Sequence, residues 1–87
     1  MKFIEIQEFD GNVVSAYKVD VFSTLRLFEA ERNNGDKEWR VTLDGPVGLK
    51  TIVRTKDAAK ARKAYEGFLD FFTNDEKRFT FTQLWEV

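Results

Sequence analysis

The sequence predicts an α+β fold in which one amphipathic helix, about Asp57–Phe72, packs on one face of an antiparallel sheet of about five to six strands, in the order β-β-β-β-β-α-β. Three observations carry the prediction. Apolar residues from Ala58 to Phe72 gather on one side of a helical wheel. Apolar and polar residues alternate through most of the remaining chain. Asp10-Gly11 and Asn34-Gly35 mark tight turns between alternating runs.

The first strand is expected over Lys2–Phe9, with Ile4 and Ile6 on one side and Phe3, Glu5 and Gln7 on the other. Asp10-Gly11-Asn12 tolerates positive φ and turns the chain into a return strand from Val13. Between Val13 and Arg32 the odd positions Val13, Tyr17, Val19, Val21, Leu25 and Leu27 are apolar. Strands rarely exceed about 10 residues, so a bend, bulge or short loop is expected near Asp20–Thr24. Phe22 and Phe28, with Arg26 between them, then take the parity of the opposite face, as do Phe3 and Ile52. Asn33-Asn34-Gly35-Asp36 closes a hairpin that sets Leu25 and Leu27 on the face of Trp39, Val41 and Leu43. Asp44-Gly45-Pro46-Val47-Gly48 ends that strand, and Leu49–Thr55 returns with Leu49 and Val53 toward the core.

Residues placed every 100° put Ala58, Ala61, Ala64, Tyr65, Phe68, Leu69, Phe71 and Phe72 within an arc of about 160°. Asp57 suits the N-cap, and Asn74 suits a left-handed residue just past the end. The last strand, Phe79–Val87, is expected to carry Phe79, Phe81, Trp85 and Val87 on one face.

A chain of 87 residues fits a single domain, 1–87, that buries about 64% of the surface its unfolded form exposes. Nine Phe, two Trp and two Tyr must fill much of that core. The chain has no Cys and no His, which removes disulfide scaffolds, thiolate chemistry and the commonest general base and metal ligand. No cofactor and no metal site is therefore expected, and the composition argues against an enzyme. Fourteen basic against fifteen acidic residues do not mark nucleic acid or an anionic membrane as a partner. No apolar run approaches the roughly 20 residues that cross a bilayer, and the N-terminus alternates, so the expected location is the cytoplasm.

Five features invite a functional reading, each beside a plainer one. Arg54, Lys56, Lys60 and Lys63 cluster around the N-terminal half of the helix, against its dipole. They form an anion-binding patch or a merely solvated face. Gly67 interrupts the polar side of the helix at a cost of roughly 1 kcal/mol, through close approach of a partner or through drift. Phe22, Arg26 and Phe28 form a protein-binding outer sheet face, or a strongly twisted sheet buries them. Arg78-Phe79-Thr80-Phe81-Thr82 with Trp85 resembles a base-stacking strand, yet its aromatics share the face expected to meet the helix. The carboxylates near the turns fit solvation better than paired catalysis. The expected function is a non-catalytic interaction module that binds another macromolecule, foremost a protein or a second copy of itself. An accessory or inhibitory protein of a phage or mobile element is the kind of chain this suits. The alternative is binding of an anionic ligand or nucleic acid through the helix patch.

Overall fold

The computed structural model describes residues 1–46 and 48–87, so Val47 of the expected Asp44–Gly48 turn lies outside the described residues. The elements run β1 (Phe3–Gln7), β2 (Val14–Lys18), β3 (Thr24–Glu31), β4 (Lys37–Gly45), β5 (Gly48–Thr55), α1 (Ala58–Thr73), β6 (Arg78–Thr82) and β7 (Leu84–Glu86). The class is α+β with one helix. The single antiparallel sheet of five to six strands is corrected to two mixed sheets, ordered β2-β1-β6 and β3-β4-β5-β7.

The last stretch of chain causes the difference. A strand that follows another through one crossover helix returns parallel to it. β7 accordingly pairs parallel with β5, and β6 pairs parallel with β1. Gln83 lies between them and carries the chain from one sheet to the other. Its backbone N–H donates to the Gln7 carbonyl at 2.8 Å, while its side chain accepts the Phe9 N–H at 3.1 Å and donates to the Thr51 carbonyl at 2.8 Å. This crossing also breaks the alternation. Phe79 and Phe81 pack on the core, and then Leu84 does, leaving Trp85 on the outer side. Phe79, Phe81, Trp85 and Val87 therefore do not share one face.

The expected break after β2 is a 3-10 turn at Val19–Val21. It lies hard against the end of β4. A Cβ on Gly45 would stand 1.9 Å from the Val21 carbonyl oxygen, so only glycine fits there. The Ser23 N–H seals the contact by donating to the Asp44 carbonyl at 2.8 Å.

Ile4, Ile6, Val41, Leu43, Ile52, Val53, Ala61, Phe68 and Phe71 form the buried core. Leu49, expected among them, is 61% exposed beyond the core-forming part of the ladder. Ile52, expected on the outer side, is buried. A register shift opposite Val41 and Thr42 leaves Ile52 as the extra residue of a bulge, which turns both it and Val53 inward.

Asp57 caps α1, its Oδ1 accepting from the backbone N–H of Ala59 at 2.9 Å and of Lys60 at 3.2 Å. Phe68 is the centre of the aromatic packing, 4.9 Å from the Phe79 ring and 5.0 Å from that of Phe81. Of the predicted apolar arc, Ala58 and Leu69 are exposed. Asn74 adopts an extended φ of −99°, not the left-handed conformation. A remote residue caps that end instead. The Lys2 ammonium donates to the Phe71 and Asn74 carbonyls and lies 4.8 Å from the Phe71 ring centre. It supplies the cation that the last helical turn itself lacks. Among the described residues no helix is long and apolar enough to cross a membrane.

Candidate functional site

Leu25, Leu27, Val41, Leu43, Val53 and Leu84 turn one side of the four-stranded sheet toward the core. Residues alternating with them form the outer face. The register sets Phe28 opposite Arg40, Arg40 opposite Arg54, and Arg54 opposite Trp85, so one row crosses all four strands. Like charges directly opposite one another destabilise a strand pair. Arg40 and Arg54 therefore need a counter-charge, and Glu38, one same-face step along β4, provides it.

Glu38 is fully buried. Its carboxylate accepts from Arg40 Nε at 2.9 Å, from Arg54 Nε at 2.5 Å and from Arg54 Nη2 at 2.9 Å. Arg32 Nε, just past the end of β3, stands 3.4 Å from Oε1. The Arg54 guanidinium pulls the Glu38 carboxyl down from 4.5 to about 2, with Arg40 adding to the effect and burial opposing both. Glu38 in turn raises Arg54 above its ordinary value. A carboxyl held so low is no proton donor at neutral pH. Its role is to orient guanidinium groups.

The acid is covered by its partners, which themselves stay partly exposed. The side chains of Arg32, Arg40 and Arg54 keep 30%, 31% and 24% of their exposure. Each guanidinium has five N–H donors. Among the described residues, the Nη groups of Arg32 and Arg40 have no protein partner. A cleft of about 350 Å³ opens beside them, lined by Glu31, Arg32, Asn33, Asn34, Arg40 and Arg54. Aromatic rings flank the row. The Trp85 ring carries the Arg54 guanidinium 5.0 Å from its centre and stacks on Phe9 at 5.2 Å, and Arg26 lies 5.2 Å from the Phe28 ring. A surface combining fixed guanidinium groups, aromatic rings and a local excess of positive charge can bind a carboxylate or phosphate bidentately.

Of the residues singled out in the sequence as protein-binding, Arg26 and Phe28 lie on this face. Phe22 does not; it packs on the core with its ring 5.4 Å from that of Tyr17. The anion-binding set Arg54, Lys56, Lys60 and Lys63 is not brought together. Arg54 faces out, whereas Lys60 pairs on the helix side with Glu86 at 3.1 Å, Lys56 stands 3.7 Å from Asp36, and Lys63 is on the exposed flank of α1. Adjacent strand residues point to opposite faces, which separates Arg54 from the residues that follow. Arg32 and Arg40 carry no signal of their own in the sequence, Glu38 is one of the carboxylates assigned to solvation, and Trp85 is assigned with Phe79 and Phe81 to the helix-facing side. The parity of Trp39, Val41 and Leu43 already placed Glu38 and Arg40 outside, but the register shift in β5 hid which residue stands opposite Arg40, and the crossing at Gln83 hid Trp85.

No protein-family model, no curated protein and no solved structure matches the chain.

Proposed function

We propose that the protein is a non-catalytic binding module whose outer sheet face receives an acidic segment of a partner protein. The row Phe28–Arg40–Arg54–Trp85, with its guanidinium groups braced by buried Glu38, carries this reading. Arg and aromatic side chains dominate the energetic centres of protein interfaces. Here the arginines are held in place before a partner arrives, so little side-chain entropy is lost on docking. The chain as a whole has a net charge of −1, so the positive excess belongs to this face and not to the molecule. Base stacking is less favoured, because the Trp85 ring is already engaged by Phe9 and Arg54.

The test is an NMR titration of the full chain with an oligoglutamate peptide and, in parallel, an oligothymidylate. The peptide is expected to shift the Trp85 indole and the Arg32, Arg40 and Arg54 side-chain signals. Arg40→Gln should weaken that binding about tenfold, the loss of one charge-assisted contact. Binding of the oligonucleotide alone, or of neither probe at low salt, would overturn the reading.

A further inference from the structure

The two oddities of the α1 sequence, a glycine on its polar side and lysines in its N-terminal half, border one groove. It lies on the helix side of the β6–β7 run, away from the outer arginine face, as an open groove of about 340 Å³. Lys60, Lys63, Ala64 and Gly67 contribute from the helix, at the spacing of one helical stripe, and Phe79, Phe81 and Leu84 contribute from the strands. The three apolar strand side chains are only partly buried, so their surfaces form an unfilled floor.

The groove has a direction. Lys60 is anchored on Glu86, next to Leu84, at one end, with Lys63 in the next turn and without an ion pair among the described residues. Gly67 marks the other end, seven residues or roughly 10 Å further along the axis. A Cβ there would meet the Phe79 ring at 3.7 Å, an ordinary contact, so packing does not demand glycine. Its φ is not positive either. What glycine does is leave the Phe79 ring uncovered. The helix thus gives up favourable propensity at Gly67 and places cations against its dipole, and both concessions shape the same groove: cationic at one end, apolar at the other.

We infer that this groove is a binding site for a linear aliphatic chain ending in a carboxylate. The anionic head pairs with Lys63, and the alkyl chain lies along Phe81 and Phe79 and runs out past the opening at Gly67. The volume of about 340 Å³ is at the lower end for small-molecule sites, which suits a medium-chain acid.

The experiment titrates the full chain with dodecanoate, dodecanol and dodecyltrimethylammonium, below their aggregation limits, and follows backbone amides by NMR. Dodecanoate is expected to shift Lys63, Ala64, Gly67, Phe79 and Phe81, and to bind at least about tenfold more tightly than the cationic analogue. Gly67→Leu, which puts a side chain into the groove, should abolish those shifts. Lys63→Glu, at an exposed position that leaves the fold alone, should weaken dodecanoate about tenfold and spare dodecanol. The inference fails if dodecanoate causes no shifts up to about 1 mM, if the shifts map elsewhere, or if all three probes bind alike and Lys63→Glu changes nothing. An acidic peptide that shifts this groove more strongly than dodecanoate would overturn it in favour of a peptide site.

Discussion

The side-chain amide of Gln83 donates to the Thr51 carbonyl at 2.8 Å, and this bond ties the strand crossing between the two sheets to the middle of β5. The same amide accepts the Phe9 N–H, so one 7%-exposed side chain satisfies backbone groups from two other segments. Gln83→Leu should therefore cost about 1–3 kcal/mol, because two partly buried backbone groups lose their partner. Gln83→Glu keeps the acceptor for Phe9 but sets a charged oxygen against the Thr51 carbonyl, and should cost at least as much. Urea denaturation of both variants checks this. An unchanged midpoint would show that the crossing holds without the amide.

Glu38 makes stability depend on acidity. Its folded-state pKa lies below its unfolded value, so its contribution is complete above about 4.5 and is lost as pH falls through about 2. Over that window the wild type should lose about 3 kcal/mol from this group, at about 1.4 kcal/mol per pH unit. Glu38→Gln should remove that share of the pH dependence. At neutral pH it should cost about 1.5–3 kcal/mol, since Arg32, Arg40 and Arg54 lose their counter-charge but keep contact with solvent. Thermal melts of both proteins between pH 2 and pH 7 measure the difference. Parallel curves for the two would show that Glu38 does not couple to folding.

What the sequence makes legible here is local. The α1 arc, the Asp57 cap and the hairpin joining β3 to β4 all follow from spacing and turn chemistry within a dozen residues. What it hides arises where periodicity is broken without a Gly or Pro to announce it. The extra residue Ile52 inverts the parity of β5, and Gln83 inverts that of the last strand. Trp85 thereby reaches the Arg40 row from a position that simple alternation assigns to the core, while in β5 it is Leu49, and not Arg54, that changes sides. Lys2 and the end of α1 meet only through pairing of the first and sixth strands, a contact spanning almost the whole chain.

Gly45 tests the close approach between the 3-10 turn and β4. Gly45→Ala would drive a methyl group into the Val21 carbonyl, which is backbone and cannot rotate away. Such overpacking should cost about 3 kcal/mol or more. Gly67→Ala is the contrasting control, since its Cβ finds ordinary contact with Phe79 and gains about 1 kcal/mol of helix propensity. Paired denaturation curves should move in opposite directions. A neutral Gly45→Ala would mean that the turn stands further from β4 than described.

Thr42 points to a different consequence of the bulge. It is 1% exposed, and its hydroxyl has no hydrogen-bond partner among the described residues. Thr42 sits beside the register shift, with Thr51 opposite it and the extra Ile52 next along β5, and the Thr51 side chain makes no hydrogen bond to it. An unpaired buried hydroxyl costs about 1–3 kcal/mol relative to an apolar group of the same shape. Valine is that group, and its β-branching suits a strand equally well. Thr42→Val should therefore stabilise the protein by about 1 kcal/mol and raise its Tm by roughly 4–8 °C, the shift expected for a domain of this size. Calorimetry of the single variant decides it. A lower Tm would mean that the hydroxyl is bonded to an ordered water bridging the bulge, and that the bulge is a hydrated feature of the fold.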